Sequence, residues 1–295
     1  MTQAQRIALG SVVVGAVVLV VKLAAWFFTG SVAILSDALE SIVNVATAIA
    51  ALVAVRVAAR PPDASHPYGH HKAEFFSAVL EGVMIVIAAL LILHEAWGRF
   101  WEPAAITQPW LGSAIVVVAS VINGVWALVL IRKGKALKSP ALSADGKHLQ
   151  TDVVTSIGVI IGIAAAVATG WYWLDPLMAA LVALNILWSG WHVIASSLSG
   201  LMDESVSEDE LADLRNLISD HAEGAVEAHD LRTRVAGRAT FVDFHLVVPG
   251  DMSVTAAHEI CDRIEAALKK HLEECIVTIH VEPEDHAKHT GIVVL

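Results

Sequence analysis

Long apolar stretches separated by short polar connections make up the first two thirds of the chain. Six of them are long enough to cross about 30 Å of hydrocarbon, because an α-helix rises about 1.5 Å per residue. They lie at roughly residues 7–28, 32–57, 74–98, 110–132, 141–169 and 175–199. The pattern therefore predicts an all-α, six-helix membrane domain over residues 1–202.

The pattern changes after this domain. Helical spacing of apolar residues predicts helices at 207–221 and 253–271, with Ser253 as the N-cap of the second helix. Alternating apolar and polar residues predict strands at 226–235, 240–248 and 275–282. The order α-β-β-α-β indicates a small α+β domain of the ferredoxin-like type over residues 203–295.

Composition and charge support this division. The 295-residue chain is 56% apolar and 17% charged, whereas an ordinary soluble domain carries about a quarter charged residues. Residues 1–199 have a net charge of +1, and residues 200–295 have a net charge of −12 and hold 8 of the 14 histidines. This composition excludes a disordered chain, and the acidic domain repels nucleic acid and attracts cations. The two cysteines form no disulfide framework and fit a reducing compartment.

Basic residues fall mainly in the even-numbered connections between the helices. The second connection carries Arg56, Arg60 and Lys72, and the fourth carries Arg132 and three lysines. The first and fifth connections carry none. Because Lys and Arg concentrate on the cytoplasmic side of membrane helices, both termini and the acidic domain are predicted to be cytoplasmic. The plan fits the inner membrane of a bacterium.

Strongly polar side chains interrupt two of the apolar helices. Asp37, Glu40 and Asn44 share one stripe of the second helix, given a rotation of about 100° per residue. His148 and Asp152 lie one turn apart on the fifth helix. Such groups are costly in a membrane unless they face a partner or a cavity. Two pairs on facing helices would supply the four ligands of a small transition-metal ion, although any one of these side chains could instead serve helix packing.

Three motifs resemble those of the cation diffusion facilitators. They are SDALESIVN at residues 36–44, HPYGHHKAE at 66–74 and ADGKHLQTD at 144–152. The resemblance extends over almost the whole chain, including the six helices and the C-terminal domain. It implies a dimeric transporter that exports a divalent metal ion, usually zinc, in exchange for protons.

By this resemblance, Glu40 and Asn44 occupy the family's first intramembrane ligand pair, and His148 and Asp152 occupy the second. The chain departs from the family in the first pair, where His or Asp followed by Asp is usual. Amide and carboxylate oxygens are harder donors than imidazole, so cadmium, iron(II), manganese and cobalt stay open beside zinc. Asp37 lies on the same stripe and could substitute as a ligand.

The resemblance also implies two metal sites outside the membrane and one charge pair. Asp63, His66 and His70 match the ligand positions of a site in the second connection. The ligand positions of a cytoplasmic site are matched by His229, His245, His258, His280 and Glu282. The family usually has Asp at the last of these positions. Lys72 and Asp203 match a family charge pair that links the third helix to the end of the sixth, which implies a hinge between the membrane and soluble parts. The alternative is that the two side chains only extend toward the membrane interface.

Together these features predict a homodimeric metal–proton antiporter that works by alternating access. A divalent transition metal would be its substrate and its regulatory ligand, and no organic cofactor, nucleic-acid partner or enzymatic activity is expected. The alternative is a metal sensor, or the partner subunit of a heterodimeric transporter, that binds metal without carrying it. An intramembrane metalloprotease is not expected, because His94-Glu95 and His258-Glu259 both lack the second histidine of the His-Glu-x-x-His motif.

Overall fold

A computed structural model describes residues 1–29, 32–101, 109–171, 173–272, 274–288 and 292–293. The chain forms two compact units, Met1–Leu198 and Ser199–Leu295. The sequence predicts a domain boundary between residues 202 and 203, just past the end of the sixth helix.

The first unit consists of long α-helices, as predicted. They are α1 (Gln3–Thr29), α2 (Val32–Ala58), α3 (Ala73–Trp101), α4 (Pro109–Ala136), α5 (Pro140–Thr169) and α6 (Leu174–Leu201), the last of which runs into the second unit. Within the described residues, every one of these helices except α5 contains an apolar stretch long enough to cross a membrane. The first half of α5 carries Asp145, Lys147 and Asp152, so this helix is the most polar of the bundle.

Small residues allow the helices of the first unit to approach closely. Alanines of α1, α2 and α4 pack with leucines of α4 and α5 in one buried cluster. Gly146 on α5 faces α4, and a Cβ atom at this position would stand 2.9 Å from the backbone nitrogen of Ile131. Gly82 on α3 faces α6, and a Cβ atom there would stand 3.2 Å from the carbonyl oxygen of Gly190. The absence of side chains at these glycines therefore fixes how close α5 and α3 come to their neighbours.

The second unit has the predicted order α-β-β-α-β, followed by two short elements that the sequence did not predict. The elements are α7 (Glu208–His221), β1 (Glu227–Ala236), β2 (Ala239–Val248), α8 (Val254–His271), β3 (Glu274–Pro283), a 3-10 turn (Glu284–His286) and β4 (Ile292–Val293). The sheet order is β3-β2-β1-β4, with β2 parallel to β3 and the other pairs antiparallel. Ser253 caps α8 as predicted, because its side chain accepts a hydrogen bond from the backbone N–H of Ala256.

The two faces of this sheet serve different purposes. Val242, Phe244 and Leu246 of β2 point to one face and pack against α7 and α8 in the core. The residues between them point to the other face, because successive side chains of a strand alternate. His245 lies on this second face, directly opposite His229 of β1 and His280 of β3 in the strand register. The pairing of three strands thus aligns three histidines in a row across the sheet.

Substitution of Gly146 tests the close packing of α4 and α5. We expect Gly146→Ala to lower the midpoint of thermal unfolding of the purified protein in detergent, followed by tryptophan fluorescence. The added methyl group would overlap backbone and side-chain atoms of α4, and overpacking of this kind costs about 1–3 kcal/mol.

Gly98→Ala on α3 is the matched control, since a Cβ atom there meets no described atom within 4 Å. Alanine is favoured over glycine in a helix by about 1 kcal/mol, so this variant should be as stable as the wild type or more stable. An unchanged or higher midpoint for Gly146→Ala would contradict the described packing.

Candidate metal-binding sites

The polar residues of α2 and α5 meet in a hydrogen-bonded bridge. The side-chain nitrogen of Asn44 on α2 donates to Oδ2 of Asp152 on α5 over 2.5 Å. The side-chain oxygen of Asn44 lies 2.9 Å from Nε2 of His148. Because an amide oxygen can only accept, His148 donates through Nε2. Asn44 and His148 are 7% and 5% exposed, whereas Asp152 is only partly buried, so the bridge is buried at two of its three side chains.

Helical periodicity and helix packing explain how these three side chains come together. His148 and Asp152 lie four residues apart, so they project from the same face of α5. Asn44 is central because its amide group offers both a donor and an acceptor, one for each residue of the pair. The carboxylate of Asp152 and the imidazole of His148 both contact the side chain of Asn44, so a carboxylate oxygen, an amide oxygen and an imidazole nitrogen are available here as metal ligands.

Asp37 and Glu40 lie on α2 upstream of Asn44, but their side chains fall outside the described part of the structure. Their assignment as ligands stays a prediction.

The second connection folds into a compact cluster around Asp63. Its Oδ1 accepts hydrogen bonds from the backbone N–H groups of Ser65 and His66, over 2.9 Å and 2.8 Å. Its two carboxylate oxygens lie 3.4 Å from Nδ1 of His66 and 3.3 Å from Nε2 of His70. Gly69 allows the turn between the histidines by adopting a φ of +85°. The ligand atoms of Asp63, His66 and His70 all lie within 4.8 Å of one another, which is close enough to share one ion.

The hydrogen bonds that shape this turn also determine the charge of Asp63. The Ser65 hydroxyl, followed by the backbone N–H of His66, lowers the pKa of the Asp63 carboxyl to about 2. Asp63 therefore stays ionised throughout the neutral and mildly acidic range.

In the second unit, Glu282 is the centre of the histidine row. Its Oε1 lies 3.1 Å from Nδ1 of His245 and 3.5 Å from Nε2 of His280. Its Oε2 lies 3.3 Å from Nε2 of His229. The imidazole rings of His229 and His245 are 5.3 Å apart, and those of His245 and His280 are 4.9 Å apart. One carboxylate and three imidazoles on three adjacent strands form a donor set that suits zinc.

Two acidic residues beside this row were missed at the sequence level. Oε1 of Glu227 lies 3.1 Å from Nδ1 of the buried His229, a carboxylate–imidazole contact of the kind that orients metal-binding histidines. Asp230 groups with His229 and His245, and their ligand atoms lie within 4.8 Å of one another. Glu227 could have been found from its spacing, since residues two apart on a strand share a face.

Asp230 could not have been found in this way, because it sits in a bulge of β1. The strand register shifts between His229 and Arg232, and Asp230 has a left-handed φ of 53°. Its carboxylate oxygen Oδ2 lies 2.6 Å from Nζ of Lys288. This hydrogen bond lowers the pKa of Asp230.

The structure does not bring His258 into this row. His258 lies on α8, whose buried residues Ala257, Ile260 and Cys261 pack on the opposite face of the sheet. Its side chain is 74% exposed, and Nε2 lies 3.7 Å from a carboxylate oxygen of Asp262 on the same helix.

The predicted hinge pair is divided between the two units. Lys72 belongs to the first unit and Asp203 to the second. The Asp203 carboxylate lies 3.2 Å from the guanidinium group of Arg234. The link between Lys72 and Asp203 stays a prediction.

Two family models match the chain, one over each compact unit. The model described as the cation efflux transmembrane domain matches residues 8–202. The model described as the cytoplasmic domain of the cation efflux protein matches residues 206–284. The first match alone extends over well more than half of the chain.

Whole-chain relatives agree with these matches. An uncharacterized transporter of Synechocystis sp. is 45% identical over 267 residues, which are 90% of this chain and 86% of the relative. The cation-efflux pump FieF of Shewanella oneidensis is 32% identical over 275 residues, or 92% of each chain. A solved structure of CzrB in its zinc form has 44% identity and a TM-score of 0.28, and the match covers 98% of that chain and 29% of this one. The chain belongs to the cation efflux family, the cation diffusion facilitators that its motifs resemble, and is a multi-pass membrane transporter of divalent metal cations.

Proposed function

We propose that this transporter exports a divalent transition-metal ion, zinc foremost, from the bacterial cytoplasm in exchange for protons. Family membership and the similarity to a cation-efflux pump support the efflux of cations. The proposal adds the metal, the exchanged ion and an inner-membrane orientation with both termini in the cytoplasm. The observation that carries it is the bridge in which Asn44 of α2 joins His148 and Asp152 of α5.

Protons and metal ions would compete for the atoms of this bridge. Nε2 of His148 carries a proton in the hydrogen-bonded state and must lose it before this nitrogen can bind a metal. The amide nitrogen of Asn44 cannot be a ligand, so an entering ion would replace its hydrogen bond to Asp152 with a metal–oxygen bond. A neutral His148 would only shift this proton to Nδ1, so the ion would release a proton to solution when it displaces one from an imidazolium at His148. Protonation of His148 and Asp152 from the other side of the membrane would in turn release the ion. This competition is the basis of the proposed exchange.

Transport also requires two states of the helix bundle that expose the bridge to opposite sides. We propose that Glu40 completes the ligand set with Asn44, His148 and Asp152, with Asp37 as a further candidate. The set would then hold two carboxylates, one amide oxygen and one imidazole, whose formal charge balances one divalent ion. Because these donors are mostly oxygens, manganese, iron(II) and cobalt remain candidate substrates besides zinc and cadmium.

The two clusters outside the membrane helices would bind metal in regulatory roles. The cytoplasmic domain matches a family of dimerising domains, which supports a homodimer. We propose that metal bound by the histidine row and Glu282 stabilises this dimer and biases the bundle toward one state. Such regulation requires the metal to bind the two states with different affinities.

Metal flux into vesicles tests the proposal. We expect purified wild-type protein to carry zinc or cadmium into vesicles with an imposed pH gradient, followed with a metal-sensitive dye in the lumen. Uptake should collapse when a proton carrier dissipates the gradient. Asp152→Ala should lower the initial rate at least about tenfold, because it removes both a ligand and its negative charge.

Asp213→Ala, on the exposed side of α7, is the control for this experiment and should transport like the wild type. Uptake that ignores the gradient would contradict proton exchange. Full-rate uptake by Asp152→Ala would contradict the assigned site. Metal binding without uptake by the wild type would favour the metal sensor or partner subunit.

Asn44→Asp tests whether the amide determines metal selectivity. An anionic ligand in place of the amide strengthens binding most for the stronger Lewis acid, so the ratio of zinc to manganese uptake should rise severalfold. The same vesicle assay with both ions measures this ratio. Asn216→Asp, an identical change at an exposed position of α7, should leave the ratio unchanged. An unaltered ratio in Asn44→Asp would show that selectivity arises elsewhere.

Glu282→Gln tests the cytoplasmic site. The substitution keeps the shape of the side chain but removes the negative charge that lies within 3.5 Å of three imidazoles. We expect zinc affinity at one class of site to fall by about tenfold or more, measured on the full-length protein by competition with a chelating dye. Glu274→Gln, at the other end of β3, should leave all affinities unchanged. Equal affinities in both variants would exclude Glu282 as a ligand.

A further inference from the structure

Two carboxylic acids are buried in the helix bundle apart from the bridge. Glu81 on α3 has no exposed surface, and Asp145 on α5 is 1% exposed. Their helices pack against each other, and Ala78 of α3 shares a buried cluster with Ala144 of α5, the residue before Asp145. Neither belongs to the Asn44–His148–Asp152 bridge, and Asp145 precedes His148 by three residues on the same helix.

The surroundings of Glu81 are apolar and tightly packed. Ala78 and Ile85 lie about one turn to either side of it on α3, each in a separate buried apolar cluster with residues of neighbouring helices. The residues that follow the two acids are Gly82 and Gly146, where the backbones of α6 and α4 come close. Water is therefore excluded from the space around the pair on the sides where these helices pack.

The two acids differ in their hydrogen bonds. Asp145 accepts a hydrogen bond from the hydroxyl of Ser11 on α1 over 2.5 Å. Both carboxylate oxygens of Glu81 are buried and have no hydrogen-bond partner among the described residues. Among the described residues, Asp145 of α5 is the charged group that acts on Glu81, and His148 and Asp152 of the same helix act on Asp145. The side chains of Asp37 and Glu40 on α2 lie outside the described part of the structure.

Ionisation of both Glu81 and Asp145 would be energetically unfavourable. An ionised carboxylate that is buried without hydrogen-bond donors is strongly unfavourable, and a second buried carboxylate nearby makes it worse. A single proton bound by the pair neutralises one of the two carboxylates and removes this repulsion. A divalent metal ion would need further ligands around Glu81, and Ala78 and Ile85, one turn to either side of it on α3, offer none.

We propose that Glu81, paired with Asp145, is a proton-binding site separate from the metal ligands, and that its proton is exchanged when metal binds at the bridge. The inference rests on the proposed metal–proton exchange and adds a carrier of a second proton. Asp145 lies one helical turn from His148, so the charge of an ion on His148 and Asp152 would favour the ionised pair and expel the proton. Departure of the ion would favour its return.

Glu81→Gln tests this site, because glutamine is neutral and has nearly the shape of the protonated acid. The measurement is the number of protons released per metal ion bound, read with a pH dye in weakly buffered detergent solution as the full-length protein is titrated with zinc. We expect Glu81→Gln to bind zinc but to release about one proton fewer per chain than the wild type. Metal sites outside the membrane contribute equally to both proteins, so the difference reports Glu81.

Glu74→Gln is the matched control on the same helix. Glu74 is also buried, but it accepts a hydrogen bond from the hydroxyl of Ser139 and is not part of the pair. It should release as many protons as the wild type. If Glu81→Gln released as many protons as the wild type, the inference would be overturned. If Glu81→Gln lost zinc binding, the inference would also be overturned, because Glu81 would then be a metal ligand.

Failure of the inference is distinguishable from failure of the proposed function. If wild-type protein carried metal without exchanging protons in the vesicle assay, the proposed function would fail. If the wild type exchanged protons and Glu81→Gln released just as many, only the inference would fail. If Glu81→Gln does not fold, infrared difference spectra of the wild type and of Glu81→Asp replace the proton-release measurement. A carboxylic-acid carbonyl band that disappears when zinc binds, and whose frequency shifts in Glu81→Asp, would support the proton-binding site. The absence of such a band would overturn the inference.

Discussion

The Asn44 amide group is the contact on which the membrane unit depends. A polar side chain on a helix that crosses a membrane is costly unless it meets a polar partner or a cavity, because hydrocarbon offers no hydrogen bonds. Asn44 meets this requirement for two residues at once, donating to Asp152 and accepting from His148. The same contact that makes the helices compatible with the membrane is the one that a metal ion would replace. Stability without metal and binding of metal therefore draw on the same three side chains.

In the second unit, a sheet instead of a pair of helices brings the polar side chains together. One face of the sheet supplies the apolar core, and the other face carries the polar residues of the histidine row. Strand register then brings His229, His245 and His280 into a row around Glu282. The carboxylate has a different role from Asn44, because it concentrates negative charge among groups that acquire positive charge or bind a cation. This arrangement suits a site that responds to metal, whereas the mostly buried bridge suits one that carries it.

The features that follow from local periodicity could be predicted from the sequence. The length of apolar stretches predicted the helices, and alternation predicted β1, β2 and β3. The spacing of four residues placed His148 and Asp152 on one face of α5. Pairing across the chain could not be derived in this way, and the resemblance to a family supplied it.

Other features depend on tertiary structure and left little or no signal in the sequence. Asp230 reaches the histidine cluster through a bulge, and His258 lies on the helical layer because the apolar face of α8 turns it outward. Glu81 and Asp145 stand on different helices, 64 positions apart in the sequence. Only the packing of α3 against α5 shows that both are buried and close. Whether a side chain is buried inside a membrane bundle depends on the neighbouring helices. The sequence of one helix does not show which helices these are.

The bridge between α2 and α5 is proposed as the site that holds the transported ion. The most direct test is to locate a bound, anomalously scattering ion such as cadmium in an experimental structure of the full-length protein. We expect density within coordination distance of the Asn44 side-chain oxygen, His148 Nε2 and Asp152 Oδ2, with the hydrogen bond between Asn44 and Asp152 broken. Density confined to the second connection and the cytoplasmic domain, with the bridge intact at saturating metal, would contradict it.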